Sequence, residues 1–385
     1  MLRNVSRCEI KGIIKEVSLV SLPGLVFAMF IDFFAGIFMG RYFHDLMRYG
    51  VLLVILPGLM GLRGNIFGAL ASRFTTMLHL GEMEPSIRDR NVRKNVIISI
   101  VLSMIPLFVL WLIGALKVRV NVFSSLGIVV ASTIFATLIL AYTTALATIV
   151  PFKRGIDPDA IAVPIVTATA DLITIPLLMT FLYLYEHDTS IFTALFVIGV
   201  LISILVGRGV RYEREDVTLI REILGIIGIL AIVSSITGSI LQTYSEEIGR
   251  TVFSIMYPVV LASLGNIGSI IGSKTSTRVH LGEIEGLIDV KTLLEMLLYV
   301  AIAYPFSAFM MIVGVFLYSI VKGVRVGIYG KFIALYPLVA LGVMTLAYFL
   351  TRAFERIGLD PDNVTVPTIT TLSDVISTLF IVAII

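Results

Sequence analysis

The sequence predicts an all-α polytopic membrane protein, and three observations lead to this prediction. Of the 385 residues, 58% are hydrophobic and only 14% are charged, whereas a soluble domain carries about 25% charged residues. The mean hydropathy is +1.01. The apolar residues fall in long runs, most of which reach the roughly 20 residues that a membrane-spanning helix needs. A chain with so little polar surface cannot cover itself in water, so its function is expected to lie within the bilayer.

Eleven apolar runs are predicted to be transmembrane helices. They lie at 18–40, 50–72, 95–116, 122–150, 162–185, 191–207, 222–243, 252–273, 293–321, 330–351 and 364–385. With a cytoplasmic N-terminus, about 20 of the basic residues lie inside and about eight outside, as the positive-inside rule favours. We therefore expect a cytoplasmic N-terminus and an extracellular C-terminus, with the plasma membrane as the location.

Charge, cysteine content and the N-terminal sequence argue against a nucleic-acid partner, an internal disulfide and a cleavable signal peptide. The net charge of +3 is small enough for membrane topology alone to account for it, so no nucleic-acid partner is expected. Cys8 is the single cysteine and cannot form an internal disulfide. The N-terminal segment 1–20 is too mixed in polarity for a cleavable signal peptide, so the N-terminus is expected to be retained.

Motifs recur in the same order along the chain. The difference in residue number is nearly constant, 201 for the earlier motifs and 203 for the later one. Residues 64–66 recur as 265–267, residues 72–82 as 273–283, and the Gly-Ile-Asp-Pro-Asp segment 155–159 as Gly-Leu-Asp-Pro-Asp at 358–362. Motifs that recur in the same order with nearly the same offset indicate a tandem duplication.

The duplication predicts three segments. Residues 1–186 form the first five-helix repeat, 187–210 a linker transmembrane helix at the periphery, and 211–385 the second five-helix repeat. Five helices would insert the second copy upside down, and the linker restores its direction. We therefore expect parallel repeats related by a pseudo-two-fold axis along the membrane normal, a fused pseudo-dimer that can act as a monomer.

Three acidic residues, Asp32, Asp171 and Asp374, fall well inside predicted spans. An ionisable group at this depth is costly and usually faces a cavity or a polar partner. Asp171 and Asp374 are equivalent in the repeat, and each follows a proline, Pro158 or Pro361, by about 20 Å along a helix. Two desolvated carboxylates that face each other across a two-fold axis repel unless a cation lies between them. A cation site is therefore predicted, against the alternative of two protonated or hydrogen-bonded packing residues.

Asparagine and glycine accompany the acids in the second span of each repeat. Asn65 and Asn266 are mid-span carboxamides whose oxygens can bind a cation. The glycine- and proline-rich stretches around them, 57–68 and 258–272, fit two interpretations. Small residues allow close helix packing, and they also let backbone carbonyls face a cavity.

Threonines and prolines complete the recurring pattern. Thr167 and Thr370 lie four residues before the acids, on the same helical face, and they either line the site or bond back to their own helix. The Asp-Pro-Asp segments at 157–159 and 360–362 are typical of helix caps or form an acidic mouth.

Two further groups have open interpretations. Clusters of His and Glu follow the second span of each repeat, where they are either solvated or bind a regulatory metal; these are His79, Glu82 and Glu84, and His280, Glu283 and Glu285. Asp32 has Ser234 as its counterpart, so its role is asymmetric. It either pairs with Arg63 or provides a second ion or proton site.

These motifs resemble the transmembrane domain of MgtE magnesium channels and, more closely, the duplicated magnesium transporters of solute carrier family 41. Residues 57–76 and their less complete copy at 258–277 carry the resemblance, together with the pattern Asp-Pro-Asp, Val-Pro, Thr and Asp at 157–171 and 360–374. The resemblance covers most of the chain, and it does not extend to the cytosolic regulatory domains of the bacterial channels, so gating by such domains is not expected.

The resemblance implies a pore between the second and fifth helices of the two halves. Hydrated Mg²⁺ would be held there by Asp171 and Asp374, with the backbone carbonyls of Thr167 and Thr370 taking part. Mg²⁺ usually keeps several waters while one or two carboxylates bind it. Oxygen ligands without Cys or His at this depth disfavour zinc and copper, while other divalent cations remain candidate substrates.

Two alternatives are kept. The first is a divalent-cation exchanger coupled to Na⁺ or H⁺. The second is an intramembrane aspartyl protease, in which two buried acids share a proton, but the residues before the acids, Thr-Ala-Thr-Ala and Thr-Thr-Leu-Ser, do not match the expected Gly-x-Gly context. We therefore expect a transporter and not an enzyme.

Overall fold

The computed structural model describes residues 11, 14–15, 17, 21–79, 81–118, 121–154, 162–208, 214–280, 282, 284, 289–358 and 361–385. The elements assigned within these residues are all helices. They are α1 (Leu22–Arg41), α2 (Phe43–Arg48), α3 (Gly50–His79), α4 (Arg90–Lys117), α5 (Val122–Lys153), α6 (Ala162–His187), α7 (Thr189–Gly207), α8 (Arg214–Thr243), α9 (Ser245–Gly249), α10 (Phe253–His280), α11 (Val290–Lys322), α12 (Gly330–Arg356) and α13 (Pro361–Ile384).

Ten of these helices are long and apolar enough to cross a membrane, counted over the described residues. Each of the eleven predicted apolar runs overlaps a long helix. The run at 222–243 lies in α8, whose qualifying apolar part, Ile227–Thr243, is shorter than the other ten. The all-helical, multi-pass class is therefore confirmed, whereas the count of eleven spans stays a prediction.

The chain forms two compact units. Unit 2 comprises His44–Gln242, and its α3 packs against α4, α5 and α6. Helix α7 packs on α4, α5 and α6, but only 11% of the residues in its most apolar stretch are buried. It therefore lies at the edge of this unit. The residue before α7 is Asp188, which accepts hydrogen bonds from the backbone N–H groups of Ser190 and Ile191 and caps the helix.

Unit 1 comprises Met1–Phe43 and Thr243–Ile385. Its α10 packs against α1, α11, α12 and α13. Aromatic rings fill the core near the start of α10, where Phe253 lies 5.7 Å from Phe332, and Phe332 lies 5.6 Å from Phe380 between ring centroids.

The two units do not coincide with the order of helices in the sequence. Helix α1 precedes the first set of helices but packs in unit 1, where a Cβ on Gly36 would overlap the backbone carbonyl of Ile255. Helix α8 precedes the second set but packs in unit 2, where a Cβ on Gly238 would overlap the backbone of Val54. Each unit therefore contains the first long helix of the opposite repeat, the form of exchange seen in domain swapping. The sequence repeats 1–186 and 211–385 themselves stay a prediction.

Candidate functional site

Asp374 lies in the middle of α13, in unit 1. The helix begins at Pro361, a favoured first-turn position because proline has no N–H to leave unpaired. Asp374 lies about 20 Å along the axis from this proline. The side chain is half-buried, so the acid occupies the mid-helix position that the sequence predicts.

Glycines bring α10 against α13 at this level. A Cβ on Gly265 would lie 3.1 Å from Ser373 Oγ and 3.8 Å from Thr370 Cγ2. The contact continues in the antiparallel sense, since Gly268 lies against Ile369 and Gly272 against Thr365. In unit 1 these glycines therefore allow close packing, one of the two interpretations that the sequence leaves open.

The same contact fixes the level of Asn266. This residue follows Gly265 and is half-buried, while Asp374 follows Ser373, the residue that Gly265 contacts. Unit 1 thus brings Asn266, Thr370 and Asp374 within about one helical turn of one another along two packed antiparallel helices. The three are oxygen-bearing residues, as a hard divalent cation prefers.

The Thr370 hydroxyl is bonded back to its own helix. Its Oγ1 donates to the carbonyls of Val366 and Pro367, both at 3.0 Å. The Thr370 carbonyl in turn accepts a 2.7 Å hydrogen bond from Ser373 Oγ. The back-bonding interpretation is therefore confirmed for the hydroxyl. The carbonyl, which within a helix also accepts the backbone N–H four residues later, already has two donors.

A buried tyrosine one helical turn beyond Asp374 was not predicted from the sequence. The hydroxyl of Tyr257, on α10, lies 2.8 Å from Thr378 Oγ1, and Thr378 Oγ1 donates to the Asp374 carbonyl at 2.8 Å. Tyr257 is therefore linked to the Asp374 backbone through Thr378. The other repeat has Leu56 at the position of Tyr257, so sequence recurrence gives no signal for this tyrosine.

Unit 2 carries the counterparts Asn65, Thr167 and Asp171, all half-buried. Asp171 lies within α6, more than two helical turns beyond its start at Ala162. Helices α3 and α6 pack together, but a Cβ on Gly64 would meet no atom of the described residues within 4 Å. The packing beside Gly64 is therefore looser than beside its counterpart Gly265.

Arg63 gives unit 2 a second polar feature. Its side chain is buried, and Nη2 donates to Thr133 Oγ1 at 3.2 Å. The counterpart of this pair in unit 1 is uncharged, because Leu264 replaces the arginine and Tyr336 replaces the threonine. There the Tyr336 hydroxyl donates to Ser263 Oγ at 2.9 Å. Asp32 is buried in unit 1, and its pairing with Arg63 stays a prediction.

A cluster of four charged residues ties α10 to α11 in unit 1. Arg278 donates to Asp289 at 3.1 Å and to Glu295 at 2.6 Å, and Lys274 Nζ lies 3.7 Å from Glu295. Glu295 is buried. Because this acid lies near the polar end of a predicted span, its burial was not anticipated from the sequence.

Asp289 also caps α11. It accepts hydrogen bonds from the backbone N–H and hydroxyl of Thr292, at 2.9 and 2.7 Å, and from the backbone N–H of Lys291. Burial alone would raise the pKa of Asp289, but these hydrogen bonds and the charge of Arg278 outweigh burial, so its pKa lies below the usual value.

Several predicted groups lie outside the described residues. They are Cys8, the segment 157–159, Asp360, Glu283 and Glu285, and the side chains of His79, His280 and Asp362. Glu82 and Glu84 are exposed in the loop after α3. Within the described residues, no three His, Cys, Asp or Glu side chains come together as a metal-binding group.

Comparisons with known proteins match the chain to one family. The profile of the MgtE family, described as divalent cation transporters, matches residues 56–181 and again 257–384, which together are more than half of the chain. The starts of the two matches, 56 and 257, and their ends, 181 and 384, differ by the same two offsets as the recurring motifs. The internal repeat is therefore consistent with the two matches.

Individual relatives are distant but match along most of the chain. Solute carrier family 41 member 2 of Mus musculus is 26% identical over 371 residues, covering 84% of this chain and 62% of the relative. Member 3 of Rattus norvegicus is 26% identical over 366 residues, covering 85% of this chain and 77% of the relative. The chain thus spans about three fifths of the mouse protein. No solved structure matches.

Proposed function

Because the chain belongs to the MgtE family of divalent cation transporters, we propose that it moves Mg²⁺ across a membrane between its two repeats, with Asp171 and Asp374 holding the hydrated ion. The observation that carries the proposal is the position of the acids. Each family match contains one acid that is half-buried within a long apolar helix. A charge at this depth in the bilayer is costly and usually faces a cavity or a polar partner, as a transport site would provide.

The neighbours of the acids support a hydrated ion over a dehydrated one. Mg²⁺ gives up water reluctantly and is usually held through one or two carboxylates. In unit 1 the Thr370 hydroxyl is bonded to its own helix, and its carbonyl accepts both Ser373 Oγ and the helical N–H four residues later. The Asn266 amide is therefore proposed to contact the water shell of the ion, and not the metal itself, with the Thr370 carbonyl taking part only through a third, shared contact with that shell.

Unit 2 is proposed to make the corresponding contacts through Asn65 and the Thr167 carbonyl. The residue at the position of Ser373 is Ala170, which has no hydroxyl. Ala170 therefore cannot make the bond that Ser373 makes to the Thr370 carbonyl. The two halves of the proposed site differ in this contact.

The driving force requires no further energy source. Moving one charge across 100 mV is worth about 2.3 kcal/mol, and moving a divalent ion about 4.6 kcal/mol. This amounts to more than a thousandfold in concentration ratio at equilibrium. We propose inward movement across the plasma membrane, with a cytoplasmic N-terminus and with one chain as the transporting unit.

The test measures Mg²⁺ uptake into proteoliposomes that contain the full chain. Asp171→Asn and Asp374→Asn keep the side-chain shape while removing the charge, and each is expected to reduce the initial rate at least tenfold. The matched control is Glu246→Gln, since Glu246 belongs to an exposed ion pair with Arg250. Wild-type flux in the double Asn variant would refute the proposed site.

Coupling to Na⁺ or H⁺ is a second candidate that Asp32 favours. This acid is buried in α1, and its counterpart is Ser234, so it adds an ionisable group to one half only. Flux that follows an imposed Na⁺ or pH gradient at fixed voltage, and that loses this response in Asp32→Asn, would identify an exchanger. Flux that does not change with either gradient would identify a channel or uniporter.

A further inference from the structure

The Arg63 guanidinium is enclosed in unit 2 without a complete set of partners. The side chain is 1% exposed, and it lies more than three helical turns beyond the start of α3 at Gly50, far from either end of that helix. Nη2 donates to Thr133. In the part of the chain that the structure describes, Nε and Nη1 have no hydrogen-bond partner.

A charge in this position requires compensation. Arginine stays protonated in proteins, and an uncompensated ion in a low-dielectric interior is strongly destabilising. Among the described residues of unit 2, no carboxylate forms an ion pair with Arg63. The missing negative charge therefore has to come from a ligand or from another part of the molecule.

The surroundings of Arg63 supply further hydrogen-bond donors. Thr133 Oγ1 accepts from Arg63, which leaves the hydrogen of its own hydroxyl available to a ligand. Thr137 lies one turn along the same face of α5, and its Oγ1 donates to Ser103 Oγ at 3.3 Å. All three hydroxyl residues are buried. Buried guanidinium and hydroxyl hydrogens favour a small anion as their acceptor.

The other repeat shows how the same position is built without a charge. Leu264 and Tyr336 occupy the places of Arg63 and Thr133, and the tyrosine hydroxyl is satisfied by Ser263 at 2.9 Å. The larger tyrosine compensates for the smaller leucine in side-chain volume. The uncharged pair needs no counter-ion, so the requirement for an anion is confined to unit 2.

We propose that Arg63 and Thr133 bind one small monovalent inorganic anion of halide size. A halide suits the site because it accepts hydrogen bonds from several directions and brings a single charge. A phosphate or another dianion would bring a second charge for which the site has no described cation. The proposal is independent of the proposed route of Mg²⁺, because it rests on the unpartnered nitrogens of Arg63 alone.

The test uses the purified full chain in detergent, with bromide as the probe. Equilibrium binding should show one bromide per chain. Replacing sodium gluconate by sodium bromide at equal ionic strength should raise the melting temperature by about 4 °C or more, because a ligand that binds only the folded state stabilises it. Chloride should compete with bromide for the site.

Two variants separate the anion site from general salt effects. Arg63→Leu combined with Thr133→Tyr copies the pair of the other repeat, and it should abolish both bromide binding and the bromide-specific shift. Arg63→Gln keeps a hydrogen-bond donor toward Thr133 but removes the charge. It should also abolish bromide binding and the bromide-specific shift, and it serves as the test if the double variant does not fold. Glu246→Gln, on an exposed ion pair, should behave like the wild type.

Three outcomes would overturn the proposal. One is a wild type that binds no bromide, and another is an equal bromide shift in the wild type and in Arg63→Gln. The third is bromide binding that appears only in Asp32→Asn, since Asp32 would then be the counter-charge of Arg63 in the unmodified protein.

Discussion

Gly265 of α10 lies against Ser373 of α13 so closely that a Cβ on the glycine would be 3.1 Å from the serine hydroxyl oxygen. Ser373 precedes Asp374, and Asn266 follows Gly265. This contact therefore sets the relative level of the acid and the amide in unit 1. Among the described residues, its counterpart Gly64 has no such neighbour, so the glycine contact beside Asp374 in unit 1 is not repeated in unit 2.

We expect Gly265→Ala to lower the free energy of unfolding by about 1 kcal/mol, because the added methyl group must displace the Ser373 hydroxyl. Gly64→Ala is the matched control. It should be neutral or slightly stabilising, since alanine favours helix and meets open space. Thermal unfolding in detergent measures both.

A double variant tests the cause of the Gly265→Ala effect. Ser373→Ala removes the oxygen that the new methyl group meets, so adding it to Gly265→Ala should recover most of the lost stability. Equal effects of the two glycine substitutions, or no recovery in the double variant, would contradict this account of the α10–α13 contact.

The buried charge cluster gives a second prediction. Glu295 is the acid shared by Arg278, at 2.6 Å, and Lys274, at 3.7 Å. Glu295→Gln leaves these cations with too little negative charge and should destabilise the protein by about 3 kcal/mol or more. Glu246→Gln, which breaks an exposed pair, should cost about 1 kcal/mol or less.

The other repeat supplies a rescue for Glu295→Gln. In helix α4, Asn95 lies six residues after the capping Asp89, just as Glu295 lies six residues after the capping Asp289 in α11. Met77 stands at the place of Arg278. Transferring both residues, as Glu295→Asn with Arg278→Met, removes a cation together with the acid and should restore part of the melting temperature. If the double variant is less stable than Glu295→Gln, the charge imbalance is not the cause.

Acid pH should weaken the same cluster. The pKa of Asp289 is depressed in the folded protein, so its carboxylate stabilises the fold above the unfolded pKa, about 3.9. This contribution is lost as pH falls from that value through the lower folded pKa. Asp289→Asn should remove the contribution of this residue at neutral pH and flatten the decline of the melting temperature in acid. An unchanged profile would contradict the role assigned to Asp289.

The sequence predicted the helices well because hydrophobic length is a local property. Each apolar run overlaps a long helix, and the helix ends extend further because polar residues such as Arg90 and Arg356 continue the helical turns. The positions of Asp171 and Asp374 followed from the repeat. The eleventh span in α8 could not be settled by length alone.

The partners of these helices were not predictable from the sequence, because they depend on tertiary contacts. Nothing in the local sequence distinguishes Gly36, where a Cβ would meet a backbone carbonyl, from Gly24, where a Cβ would meet no atom of the described residues within 4 Å. Recurrence in the sequence also gives no signal for features that occur once. Tyr257 and Glu295 are examples, since the other repeat has Leu56 and Asn95 in their places.

The placement of α1 in unit 1 leads to the last prediction. A side chain at Gly36 would overlap the Ile255 carbonyl, and a backbone atom cannot move aside as a side chain can. Gly36→Val should therefore push α1 away from α10 and lower the melting temperature by about 5 °C or more. Gly24→Val, on the same helix, makes no such overlap with the described residues and controls for the change in helix propensity from glycine to valine. If α1 packed instead with the helices that follow it in sequence, the Ile255 carbonyl would not be its neighbour, and the two valine variants should melt alike. Thermal unfolding of the pair therefore distinguishes an exchanged first helix from one that stays within its own repeat.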